Sequence, residues 1–167
     1  MPIAIGDSST LINLAAIGRL SLLREFYERI IVPQAVWEEV VVEGRGRPGA
    51  MEIETARDAG WIEVVTPQDS DLVGLLQRDL DRGEAEVIAL AVERKVSIVL
   101  LDESEARRIA EIYGLPKTGV IGILLRAKLQ GKIRSLKEEL DRLRQEAGFW
   151  LAEDLYHRVL EEVNEGG

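Results

Sequence analysis

The acids of greatest chemical interest stand at the ends of apolar runs. In "IAIGDSST" (residues 3–10) a short run stops at Asp7, and in "IVLLDESEARRIA" (98–110) another stops at Asp102 and Glu103. Glu84 closes "DRGE", and Glu38 and Glu39 sit together in "WEEV". Carboxylates that converge without cysteine or a histidine cluster make an all-oxygen donor set. Mg²⁺ or Mn²⁺ suits such a set. Phosphodiester hydrolysis is one chemistry that uses it: bound cations lower the pKa of a water, hold the phosphate and offset charge on the leaving oxygen. The protein then needs no nucleophile of its own.

Each acid also has an ordinary structural explanation. Asp7 precedes Ser8, Ser9 and Thr10, all of which start helices well, and Asp7 is itself a good N-cap. Asp81 and Glu84 have the spacing of a capping box, and an acid in a first helical turn is favoured by the helix dipole. Asp102 or Ser104 can cap the helix that follows. Helical periodicity adds a filter, because the chain holds 30 Asp and Glu residues. At about 100° per residue, Glu84 falls on the face of Val87, Ile88 and Ala91, whereas Glu86 and Glu93 fall on the opposite side. An acid on an apolar face is costly unless something pairs with it. Glu38 and Glu39 flank the face of Val36, Trp37, Val40 and Val41 equally, and periodicity does not choose between them.

Strands that end in these acids must carry them to one edge. Ile3–Gly6, Ile30–Val32, Ile62–Val65 and Ser97–Leu101 read as strands rich in Ile and Val, without the alternation of a half-exposed sheet. Lys117-Thr118 reads as a last short strand. Helical patterns cover 10–27, 33–43, 49–59, 70–79, 84–95, 104–113, 120–130, 135–147 and 153–164. Pro33 suits the first turn of its helix, and "EGRGRPG" (43–49) reads as a loop. The alternation predicts an α/β fold with a mainly parallel sheet between helical layers. Ligands in such folds bind beyond the carboxyl ends of strands, where strand order reverses. If the first strand and Ser97–Leu101 are neighbours, Asp7, Asp102 and Glu103 meet in one crevice.

Composition narrows the chemistry further. The chain has 167 residues, 46% hydrophobic and 31% charged, which fits one domain with a real core. No cysteine is present, so disulfides, thiolate metal sites and thiol nucleophiles are excluded. The single histidine, His157, leaves no conventional Ser–His–Asp triad over the main body of the chain. A net charge of −9 argues against a broad electropositive platform for nucleic acid, yet a cation bound in an acidic cleft reverses the local field. No apolar run has the length of a membrane span, and the N-terminus lacks the pattern of a secretory leader. A cytoplasmic protein is expected.

The order of motifs resembles the PIN-domain family, including VapC-type toxins of prokaryotic toxin–antitoxin pairs. The matching pieces are "IGDSSTLINLAAIGRL", "IIVPQAVWEEV", "LDRGEAEVIALA" and "IVLLDESEARRIAEIYGL". The later "TGVIGILLRAKLQGKI" and "AGFWLAEDLYHRVLEEV" resemble a PIN-like prokaryotic subfamily. The resemblance implies a three-layer α/β/α fold over 1–131, with a helical C-terminal extension over 132–167, in a single domain. It implies an endoribonuclease that uses Mg²⁺ or Mn²⁺ and leaves a 5′-phosphate. Carried over by position, its acids fall on Asp7, Glu39 and Glu84, and on Asp102 or Glu103, with Ser9 as a supporting hydroxyl. Position 84 is Glu where many relatives have Asp, and Leu101 stands where Thr is common. Arg45, Arg47, Arg107 and Arg108 are candidates for steering RNA. A homodimer and a cognate antitoxin are the implied partners. The alternative is a PIN-like binding module with a degenerate site. A phosphatase with an aspartyl nucleophile lacks the second Asp two residues after Asp7, and no Gly-rich phosphate loop is present.

Overall fold

In a computed structural model, residues 2–166 are described. Five strands form one sheet: β1 (Ile3–Gly6), β2 (Arg29–Pro33), β3 (Ile62–Val65), β4 (Ile98–Leu100) and β5 (Lys117–Thr118). Their order is β3-β2-β1-β4-β5, and every pairing is parallel. The central strands β1, β2 and β4 are buried because helices cover both faces, while the edge strands β3 and β5 are half-buried. Ile5, Ile30, Ile31, Val99 and Leu100 are almost wholly withdrawn from solvent.

The chain runs outward from β1 to β2 and β3, then returns to place β4 on the other side of β1. Strand order therefore reverses between β1 and β4, the place where open parallel sheets bind ligands. The register sets Ile5 beside Val99 and Gly6 beside Leu100. Asp7 N–H then donates to Leu100 O at 3.1 Å, carrying the ladder one step beyond the strand.

After β1 come α1 (Ser8–Ala16) and α2 (Leu22–Phe26). The periodicity predicts one helix over 10–27, but Gly18 adopts φ +69° and breaks it. Glycine enters this left-handed region without a Cβ penalty. Between β2 and β3 lie α3 (Gln34–Trp37), a π-helical turn over Glu38–Glu43, and α4 (Ala50–Asp58). Pro33 is the N-cap of α3 rather than a first-turn residue, with extended backbone at ψ 152°. Next come α5 (Ser70–Leu76) and α6 (Arg82–Arg94), then α7 (Ser104–Ile112) after β4. The chain ends with α8 (Val120–Leu129), α9 (Leu136–Glu146) and α10 (Glu153–Glu162).

The helix α6 crosses β1, β2 and β4, while α1, α2, α8 and α9 pack together in the other layer. Ala85 through Ala91 are all buried. That includes Glu86, which the periodicity places on the polar side of α6. Its solvent side is instead occupied by α3 and α5. The carboxylate survives burial because it is paired: Ala35 N–H donates to Glu86 Oε1 at 3.0 Å, and Arg82 Nε reaches Oε2 at 3.2 Å. It thus caps α3, whose chain continues into the π-helical turn. Glu86→Ala leaves the Ala35 N–H unpaired and is expected to cost about 1–3 kcal/mol. A lower urea midpoint at unchanged slope checks this.

The last helices are tied to the body by charge as well as packing. Arg19 grips Glu139 of α9 through two bonds of 2.9 and 2.8 Å, and Arg142 adds a third at 3.3 Å. Leu136, Leu140 and Leu143 are fully buried beneath. Leu124, Leu151, Val159 and Leu160 are likewise core residues.

Candidate metal centre

A cleft of about 320 Å³ opens at the carboxyl end of β1. Asp7, Glu39, Asp81, Glu84 and Glu103 line it, together with Ser8, Ser9, Ile12 and Asn13. These are five carboxylates with no lysine or arginine among them. Four of the acids proposed from sequence, and Ser9, come together here. Asp102, Arg45, Arg47, Arg107 and Arg108 are not part of its lining.

Asp7 does two things at once. Its Oδ1 accepts the Thr10 N–H at 2.9 Å, which caps α1, and its Oδ2 accepts the Asp102 N–H at 3.3 Å. The residue is only 2% exposed. Burial, with the Asp102 charge as a smaller contributor, lifts its pKa from 3.8 to about 7 against the Thr10 N–H bond, which lowers it. Glu84 also rises to about 7, chiefly by burial and then by the Asp81 charge, with Glu103 adding less. Both carboxyls are held near neutrality mainly because the fold takes them out of water, with neighbouring acids adding to the effect.

Local structure explains how the others arrive. Asp81 N-caps α6 and accepts the Glu84 N–H at 2.8 Å, while Glu84 Oε1 accepts the Asp81 N–H at 3.3 Å. The capping box and the cleft therefore use the same two acids. Glu39 lies in the π-helical turn, a rare backbone form that recurs at functional sites. Ser8 Oγ donates to Glu39 Oε1 at 2.9 Å, whereas Glu38 receives the Gln34 amide and stays outside the cleft. Ser9, rather than bonding Glu39, reaches Glu103 Oε1 at 3.4 Å.

Adjacent Asp102 and Glu103 face different ways. Asp102 points toward α8: Thr10 Oγ donates to its Oδ2 at 2.6 Å, and Val120 N–H lies 3.2 Å from each oxygen. It caps α8 across the fold, and neither it nor Ser104 caps α7 by its side chain. Gly119 permits this approach, since a Cβ there would collide with Asp102 Oδ1. Burial raises the Asp102 pKa, opposed mainly by the Thr10 hydroxyl. Glu103 is exposed and enters the acidic cleft.

From sequence Asp81 reads only as a cap, and Asn13 is not among the candidates. The i, i+4 spacing of Ser9 and Asn13 on α1 was the available signal, because that spacing puts both on one helix face. Arg108 is paired with Glu105 on the surface. Arg45 and Arg47 are exposed in the loop after the π-helical turn.

The donor set is chemically suited to a hard divalent cation: carboxylates and hydroxyls, no soft ligand, and an uncompensated negative field. Among the described residues, no three acidic or histidine side chains are drawn together in ligating geometry. Each is instead held by a local partner, Asp7 by Thr10 and Asp102, Glu39 by Ser8, and Glu84 by Asp81. No helix among these residues is long and apolar enough to cross a membrane.

A comparison with curated proteins finds no match. The family model DUF3368, described as a PIN domain, matches residues 3–165. PIN domains are generally nucleases that use divalent metals. The match spans nearly the whole chain, and the parallel sheet with its acidic edge agrees with it: the chain belongs to the PIN-domain family.

Proposed function

We propose that the protein is a metal-dependent endoribonuclease and the toxin of a type II toxin–antitoxin pair. The observation that carries the nuclease reading is the cluster of five cleft carboxylates beyond β1, with no lysine or arginine in the lining. Asp7, Glu39, Glu84 and Glu103 would hold Mg²⁺ or Mn²⁺, with Asp81 beside them and Asp102 acting from behind through the Asp7–Thr10 turn. The bound cation would supply an acidified water and charge stabilisation at the phosphate.

The chain's own groups do the rest. Asp7 is held at both oxygens, so its position is fixed before substrate arrives. Glu84 Oε1 is occupied by the Asp81 N–H. Its Oε2 would be the oxygen that reaches the cation, and the proton of the attacking water would pass to solvent. Ser8 and Ser9 restrain Glu39 and Glu103. In-line attack of water at phosphorus would break the bond to the 3′ oxygen, which would take a proton from solvent and leave as a hydroxyl, and the phosphate would remain on the 5′ side.

The toxin assignment draws on resemblance and on charge. An acidic cleft lined by no lysine or arginine suits a basic side chain from an antitoxin. We assign a homodimer and a cytoplasmic setting on the same resemblance, with 1–131 as the catalytic core and 132–167 as its extension. RNA cleavage by the purified protein with Mg²⁺ tests the enzyme claim against Asp7→Asn. Cleavage that EDTA abolishes and that the variant lacks is the expected result. Identical background cleavage by both proteins on varied RNAs sinks it.

A further inference from the structure

We propose that the groove beside the acidic cleft is the track for single-stranded RNA, with an unpaired base stacked on Trp150. This rests on the nuclease reading for the reacting end of the strand. The groove has a volume of about 790 Å³ and shares Ser9, Asn13 and Glu103 with the cleft, so the two are continuous. One wall is the turn between α9 and α10, the part of the C-terminal extension that carries Phe149 and Trp150.

Trp150 is 83% exposed, whereas Trp37 is buried at 8%. A large aromatic left in water forgoes substantial burial energy. The exposure is not fraying, because the segment is pinned on both sides. Phe149 N–H donates to Leu143 O at 3.0 Å, and Arg144 Nη2 donates to Leu151 O at 2.8 Å. Arg144 itself lies over the Tyr156 ring at 4.2 Å, and Leu151 is buried at 6%. The backbone thus holds the indole outward on a braced support, which is what a stacking platform requires.

The groove holds cations that the acidic cleft lacks, beside the carboxylates of Asp102 and Glu103. Arg107 and Lys117 line it. Lys117 pairs with Glu111 at 2.8 Å. Arg107 has no carboxylate within ion-pair distance among the described residues, and its Nη1 donates to Leu101 O at 2.8 Å. That bond orients the guanidinium and leaves further N–H groups for phosphate oxygens. Cations for the backbone and an aromatic for a base are the pairing used by single-strand binders. A strand whose scissile phosphate sits in the cleft would pass its neighbouring phosphate to Arg107 and a base to Trp150. An amphipathic peptide fits less well, since Ser9, Asn13 and Thr118 interrupt the apolar lining.

The test uses the full chain. Titrating the Asp7→Asn protein with oligoadenylate in Mg²⁺ should quench tryptophan fluorescence, and Trp150→Ala should weaken binding about tenfold or more. Trp150→Phe should recover most of that loss, and an oligomer with abasic sites should not discriminate between the variants. Arg107→Gln should flatten the dependence of log K on log salt by about 0.7, the value for one phosphate contact on a single strand. In the cleaving protein, Trp150→Ala should raise KM with little change in kcat. If Trp150→Ala binds and cleaves as its parent does, the track is overturned and the nuclease reading stands. If the protein never cleaves but binds oligoadenylate through Trp150, the nuclease reading fails and the track stands. Oligonucleotides that leave the fluorescence unchanged overturn the track.

Discussion

Asp7→Asn is expected to lower RNA cleavage about a hundredfold or more and to make the metal-free protein more stable at pH 8. The first effect rests on the proposed role of Asp7 as a charged ligand, since the work of a bound cation at phosphate is worth several kcal/mol. The second follows from burial. The Asp7 carboxyl titrates near 3.8 in an unfolded chain and at about 7 in the fold. Between these values the unfolded chain releases a proton that the folded protein keeps, so stability falls as pH rises from about 4 to about 7. Below that window Asp7 costs nothing, and above it the full penalty applies.

Asn carries no charge and escapes the penalty. Its amide can still accept from Thr10 N–H, although its NH₂ then faces the Asp102 N–H. The gain at pH 8 is therefore expected at about 1–3 kcal/mol rather than the full value of the shift. Chemical denaturation of both proteins in EDTA at pH 4 and pH 8 measures it. Mg²⁺ should stabilise the parent increasingly from pH 6 to pH 8, because the cation displaces protons, and should do little for the variant. A parent as stable as Asp7→Asn at pH 8 in EDTA would refute a strained carboxylate at this position.

Adjacent acids give the second expected result. Asp102→Ala is expected to unfold about 6–12 °C lower, while Glu103→Gln should leave the unfolding temperature almost unchanged and weaken Mg²⁺ binding about tenfold. Removing Asp102 strands the hydroxyl of Thr10, which is fully buried, and the Val120 N–H at the start of α8. Two orphaned polar groups cost about 3 kcal/mol together, and a domain of this size loses about 2–4 °C per kcal/mol. Glu103 is exposed, and among the described residues its side-chain partner is Ser9, through a long bond. Surface changes of that kind stay within about 0.5 kcal/mol. Thermal scans alongside Mg²⁺ calorimetry separate the two. Loss of metal binding by Asp102→Asn at unchanged stability would exchange their roles.

The layered fold was legible because its signals are local. Short Ile- and Val-rich runs alternate with helical periods, and that pattern alone predicts a parallel sheet covered on both faces. The ends of β1 and β4 were legible too, since each apolar run stops at an acid. Their meeting followed from one assumption, that the two strands are neighbours, which the register of Gly6 beside Leu100 bears out. The capping box at Asp81 and Glu84 was equally readable from spacing.

Tertiary structure decided what periodicity had no means to reach. Helical phase describes one face of one helix, and it assigned Glu86 to water because it had no knowledge of α3 and α5 lying on that side. It was silent between Glu38 and Glu39, where a π-helical turn alters the phase and Ser8, from another element, receives one of them. It was silent again between Asp102 and Glu103, whose directions depend on Thr10 and Val120, 92 and 18 residues away. The groove under Trp150 belongs to the same class, being built between β5, α7 and a turn that no local pattern links. Chain-local spacing determined which acids lie at the sheet edge. Packing between distant elements decided which of them share a cleft, because burial and hydrogen-bond pairing are set by neighbours in space.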